Sequence, residues 1–232
     1  MTSSGEIAYR QLLQDCLECG EDDYNERTGI GTRRVFGRMI RFDLSEGRTA
    51  LLTSKRIPYS LPYREKLWMI SGQTNIRPLL LNGVTIWSDW PHDTYVKKTG
   101  SNIPLKEFEQ RIIDDLDFAE QWGDLGPVYG AQWRRWKAYR DVLPSEAIVH
   151  RLSQRNNTDF RPPIIAKHME NIDQLQLAID LLMNAPSSRR ILVNAWNPAD
   201  IGEMALPPCH YGYQFSKMPS GHLDLLVNQR KQ

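Results

Sequence analysis

Apolar residues recur at helical spacing early in the chain, at Ala8, Leu12, Leu13 and Cys16, and the pattern stops at Gly20, a natural helix stop. It predicts a helix over Glu6 to Cys19. The stretch DDYNERTGIGTRRVFG then carries turn chemistry. Beyond it Ile40, Phe42 and Leu44 alternate with Arg41 and Asp43, which predicts a strand. Helical spacing returns over Tyr63 to Ser71, where Glu65 and Trp68 share a face, and over Ile76 to Leu81 ahead of the Asn82-Gly83 turn. Leu105, Phe108, Ile112, Leu116 and Ala119 predict one further helix between Pro104 and Gly123. Tyr139 to Phe160 is polar and irregular and reads as a surface excursion. Asn171 and Gln174 resemble an N-cap and its reciprocal partner, opening a helix through Leu175, Ile179 and Leu182. Strand patterns follow: Ile191, Val193 and Ala195 alternate, then Tyr211, Tyr213 and Phe215, then the run His222 to Val227. Helices and strands mix without βαβ alternation, so the expected class is α+β, as a single domain over 1–232.

Composition narrows what such a fold does. The 232 residues carry a formal net charge of +1, so no global field draws the chain onto a DNA polymer or anionic lipid, and any anion site is a local arginine cluster. No apolar run reaches the roughly 20 residues needed to span a bilayer, and MTSSGEIAYRQ lacks a signal-peptide pattern. The expectation is a cytoplasmic protein. Three cysteines argue against a disulfide framework. Cys16 and Cys19 fall inside the first helical pattern with no second ligand pair nearby, so they read as packing and no metal is expected. Gly29 and Gly31 lack the third glycine and the preceding strand of a dinucleotide site.

The candidate chemistry lies in ALPPCHYGYQF, residues 205 to 215. Two prolines fix φ and remove two donors, so Cys209 is approached by stiff chain. A fixed thiol suits a nucleophile, since misplacement by about an ångström can cost ~100-fold in rate. Taken alone, the same feature reads first as a buried structural cysteine opening a strand. Upstream, Arg189 and Arg190 stand side by side before a strand, so their side chains face opposite ways and one can reach a partner chain. Guanidinium forks suit phosphate.

ALPPCH, SSRRILVNAWN, DLGPVYGAQWRRW, NGVTIWSDW, ERTGIGT and LLTSKR, in their order along the chain, resemble the thymidylate synthase family, whose superfamily also holds deoxypyrimidine-nucleotide hydroxymethylases. The resemblance implies an α+β fold with a large mixed sheet, helices on one face and a homodimer across the other. It implies that Cys209 adds to C6 of deoxyuridine monophosphate and that C5 takes a one-carbon unit from the co-substrate 5,10-methylenetetrahydrofolate. Hydride capture of the resulting methylene gives thymidylate. Capture by water would instead make the chain a deoxyuridylate or deoxycytidylate hydroxymethylase, and a nucleotide- or RNA-binding homologue without activity is a third reading. By resemblance Glu65, Tyr129 and His210 join Cys209 as catalytic residues. Arg27, Arg230 and, from the second subunit, Arg189 and Arg190 bind phosphate. Trp87, Trp90 and Lys55 meet the folate. Departures from the family pattern fall at Arg64, Lys66 and Gln73 around Glu65, and at Asn228 and Lys231 around Arg230. The family's further C-terminal segment, which reads uracil or cytosine, is expected to be lacking after Gln232.

Overall fold

The computed structural model describes residues 4–26, 29–54, 56, 58–142 and 166–230. They belong to two compact units, Met1–Pro58 and Tyr59–Gln232.

In the first unit, α1 (Ser4–Cys19) ends where the sequence predicts, with the Gly20 N–H on the Cys16 carbonyl at 3.1 Å. Its buried positions differ from the apolar stripe. Gly5 and Glu6 are covered while Leu13 is 46% exposed. The Phe42 ring lies within 3 Å of where a Cβ on Gly5 would stand, and the Glu6 carboxylate accepts the Thr53 N–H at 2.7 Å. The strand predicted over Ile40 to Leu44 joins no ladder. Ile40 and Phe42 are half-buried, so their alternation records packing rather than strand pairing. The ladder lies earlier, between antiparallel β1 (Glu21–Asn25) and β2 (Ile30–Arg34), with Gly29 at φ 66° between them. Arg27 and Lys55 lie outside the described residues.

The second unit contains α2 (Ser60–Ile70), α3 (Arg77–Leu81), α4 (Asp89–Thr99), α5 (Leu105–Asp114), α6 (Leu116–Trp122) and α7 (Tyr129–Arg134). The single helix expected over 105–119 is two. Asp115 takes extended angles (φ −115°, ψ 110°), and its carboxylate accepts the Phe118 N–H at 3.0 Å, so a cap outweighs apolar continuity. A second correction concerns α8 (Gln174–Asn184). Asp173, not Asn171, is its N-cap, accepting the Gln176 N–H at 2.9 Å, while Asn171 belongs to a strand. Gln174 is no reciprocal cap, because its amide pairs with the Asn194 N–H and C=O, each at 2.9 Å.

β3 (Trp136–Val142) pairs antiparallel with β4 (Ala166–Ile172), so the supposed excursion begins as a strand, and residues 143–165 lie outside the described set. β5 (Leu192–Asn194), β6 (His210–Lys217) and β7 (Leu223–Gln229) form an antiparallel sheet in that order. The class is therefore α+β, with described sheets of two and three strands. Ile191, Val193 and Ala195, which alternate in the sequence, are all buried, together with Phe108, Ile112 and Val128.

Gly126 fixes the loop that enters α7. It sits at φ +75°, and a Cβ there would come 2.1 Å from the Glu203 carbonyl, just before the segment leading to Cys209. Gly126→Ala should therefore cost about 1–2 kcal/mol from left-handed backbone alone. In a thermal melt that is a fall of about 2–8 °C. An unchanged melt would mean that this loop is not held against residue 203.

Candidate functional site

The loop positions Tyr129 as the first residue of α7, 2% exposed, with its hydroxyl accepting the Cys209 N–H at 2.6 Å. The prolines are held as well. Arg230 donates from Nε to the Pro208 carbonyl (2.8 Å) and from Nη2 to that of Pro207 (3.1 Å), while its backbone N–H meets the Cys209 carbonyl at 2.7 Å. Its guanidinium lies over Trp196, 5.3 Å from the ring centre. The backbone that carries the half-buried free thiol of Cys209 is thus held at both its N–H and its carbonyl.

His210 follows at an irregularity in the β6–β7 register between His210 and Gly212. Such a bulge re-aims side chains, and here it lets residues 210 and 213 meet despite their spacing. The His210 Nδ1 is 2.6 Å from the Tyr213 hydroxyl, and its ring stacks on Tyr129 at 4.5 Å. Burial, then the Lys66 charge, push His210 down to about 4, so it is neutral near pH 7. Burial pushes Tyr129 up to about 12, and raises Tyr213 also.

From α2, Glu65 accepts the Trp87 indole N–H at 2.7 Å. Burial raises its carboxyl above the ordinary range, opposed by that hydrogen bond and by Lys66. Trp87 is packed among Trp68, Trp90 and Tyr129 at centroid distances of 6.0, 5.5 and 6.3 Å and is 5% exposed. In the free protein it therefore holds Glu65, and the half-buried Trp90 has the ring surface left to offer. Trp87→Phe removes the indole N–H that favours ionised Glu65 through a hydrogen bond, so the Glu65 pKa should rise further. A carboxyl-carbon NMR titration showing it unchanged or lower would contradict this contact.

Glu65, Trp87, Trp90, Tyr129, Cys209, His210 and Arg230 thus join in a chain of contacts through shared neighbours. Arg189 and Arg190 do not. Both are exposed and precede Ile191, whose carbonyl accepts the Phe215 N–H, five residues along β6 from His210. At ~3.3 Å per residue that is about 17 Å, beyond a guanidinium's reach to its own Cys209. Sequence reasoning gave no role to Lys66 or Tyr213. The only signal for Lys66 was a cation where the family pattern is apolar, and Tyr213 read as an ordinary strand residue.

Among the described residues no group of three His, Cys, Asp or Glu is placed to hold a metal, and no helix is long and apolar enough to cross a membrane. A thiol on a fixed backbone, joined through Trp87 and Tyr129 to a carboxyl of raised pKa and next in sequence to a neutral imidazole, has the makings of a nucleophilic site on an α+β frame.

The chain belongs to the thymidylate synthase family: the family described as Thymidylate synthase matches residues 7–232. It is 45% identical over 225 residues to the thymidylate synthase of Zymomonas mobilis subsp. mobilis, covering 97% of this chain and 66% of that one. It is 44% identical to that of Rhodopseudomonas palustris with the same coverage, and 42% identical over 238 residues to that of Rhizobium rhizogenes, covering 99% and 68%. The chain spans about two thirds of the length of these relatives.

Proposed function

We propose that the chain carries out the thymidylate synthase reaction, passing a one-carbon unit to C5 of deoxyuridine monophosphate and reducing it to methyl. The observation that carries this reading is the fixed Cys209 backbone, between the Tyr129 hydroxyl and the Arg230 main-chain N–H, in a chain of this family. The Cys209 thiolate adds to C6 of the pyrimidine, which makes C5 a carbon nucleophile. Glu65, a carboxyl with raised pKa, handles protons at the ring, and Tyr129 assists loss of the C5 proton. Neutral His210 offers a ring nitrogen for hydrogen bonding. Elimination restores the thiol and the C5–C6 double bond.

Arg230 has N–H groups beyond those on the prolines and supplies them to the phosphate. Arg189 and Arg190 of a second copy complete that cluster, which agrees with their distance from Cys209 in their own chain. Leu192 and Leu226, in register with Gln214 on one sheet face and 47% and 40% exposed, offer apolar surface to that copy. For the folate, the ring of Trp90 fits a flat heterocycle. When bound there, methylenetetrahydrofolate supplies the one-carbon unit and the hydride.

The test supplies deoxyuridine monophosphate labelled with tritium at C5 together with methylenetetrahydrofolate, following tritium release and dihydrofolate absorbance in one tube. Matched tritium and dihydrofolate are expected. Tritium without dihydrofolate would make the chain a hydroxymethylase, and silence in both would overturn the reading.

A further inference from the structure

Lys66 stands next to Glu65 on α2 and points to the other side of the cluster. Its ammonium lies 5.1 Å from the Trp133 ring centre and 5.7 Å from that of Tyr213, is 3.8 Å from the Met69 sulfur, and donates to the Tyr213 hydroxyl at 3.4 Å. Two aromatic faces and a hydroxyl form a half-buried cage for a cation. The groups that can titrate around it are Glu65 on α2, Tyr129 on α7, and His210 and Tyr213 on β6. Burial lowers the pKa of Lys66, which the Glu65 carboxylate opposes.

The hydrogen-bond inventory turns this cage into a directional device. A charged lysine has three donors and no acceptor, whereas a tyrosine hydroxyl has one proton to give. With the ammonium donating to it, the Tyr213 oxygen cannot return a bond to Lys66. Its own proton is left for the other partner in reach, the Nδ1 of His210 at 2.6 Å. With Nδ1 as the bare nitrogen that proton has an acceptor, and in neutral His210 the ring proton then sits on Nε2.

We propose that Lys66 is a positioning residue that sets the tautomer of His210 through Tyr213, so that His210 presents an Nε2–H donor. In the pyrimidine reaction proposed above, on which the functional meaning of this inference rests, His210 then donates to an oxygen of the base or to water and does not accept there. The opposite tautomer would turn the same ring into an acceptor without moving it. Which tautomer a histidine adopts is fixed by the bond its other nitrogen makes. Here that bond is directed by a cation where the family pattern is apolar.

The experiment reads the tautomer in the free protein, so it does not depend on turnover. Long-range proton–nitrogen NMR of the full chain, labelled with 15N at its histidines and assigned with His210→Asn, distinguishes a bare Nδ1 from a bare Nε2. The parent should show Nδ1 bare and Nε2 protonated at pH 7. Lys66→Met, which keeps bulk but not the donor, should convert that single form into a mixture or the Nδ1–H form. Lys66→Arg should keep the parental form, because it still donates, and Tyr213→Phe should lose the preference with Lys66 present. Near-ultraviolet circular dichroism checks that each variant is folded. A parent with Nδ1 protonated would overturn the proposal. So would a Tyr213→Phe or folded Lys66→Met protein with an unaltered tautomer. If the tautomer shifts as expected while the parent neither releases tritium nor forms dihydrofolate, the reaction assignment fails and the role of Lys66 stands.

Discussion

Cys209→Ser is expected to remove the covalent nucleotide adduct and to lower dihydrofolate formation by more than about three orders of magnitude. The variant should still bind deoxyuridine monophosphate, because the phosphate contacts proposed above do not use the thiol and the Cys209 main chain keeps its bonds to Tyr129 and Arg230. A serine hydroxyl in the same place stays protonated near neutral pH, so geometry is retained while the nucleophile is lost. Isotope-labelled nucleotide carried through denaturing gel filtration measures the adduct. Parental turnover in the serine variant would show that the thiol is not the nucleophile.

Glu65→Gln should separate activity from stability. In the proposed reaction, loss of a positioned acid–base group costs about 10²–10⁴-fold in rate. Stability should move the other way. Burial raises the folded-state pKa of Glu65 above its unfolded value, so the folded protein holds that proton more tightly. Stability from this group is therefore present below the unfolded pKa of about 4.3 and is lost as pH rises through the folded one. At pH 7 the carboxylate is a burden, and the neutral amide, which can still accept from Trp87, relieves it. Thermal melts should show the variant above the parent at neutral pH, with the gap closing toward pH 4. A parent that melts higher than the variant at pH 7 would contradict the assigned burial effect.

Local rules served well where pattern and contact coincide. Gly20 ends α1, Asn82-Gly83 follows α3, and the Ile191, Val193, Ala195 alternation matches burial. They failed where two local signals compete. At Asp115 a capping side chain divides what apolar spacing joins, and Asp173 displaces Asn171 because Gln174 is held by Asn194 across the fold. The α4 helix went unread because Pro91 and His92 sit in its first turns. Of the candidate site residues, Cys209 drew notice from its prolines and Glu65 only through the family resemblance. Their environment was not legible, since Trp87 meets Glu65 across 22 residues and Tyr129 meets Cys209 across 80. Lys66 and Tyr213 are 147 residues apart, and the bulge that turns His210 toward Tyr213 has no sequence mark.

In the proposed reaction Arg230 would give the nucleophile and the phosphate a common mooring. Two of its nitrogens are already spent on the carbonyls of Pro207 and Pro208, and the arginine plane rests on Trp196. An anion drawn to the free edge of that plane would pull on the same bracket that steadies the thiol, so substrate charge and nucleophile alignment become one mechanical event. A lysine could neutralise the phosphate at that position, but with no rigid fork it could not grip both prolines and the ligand at once.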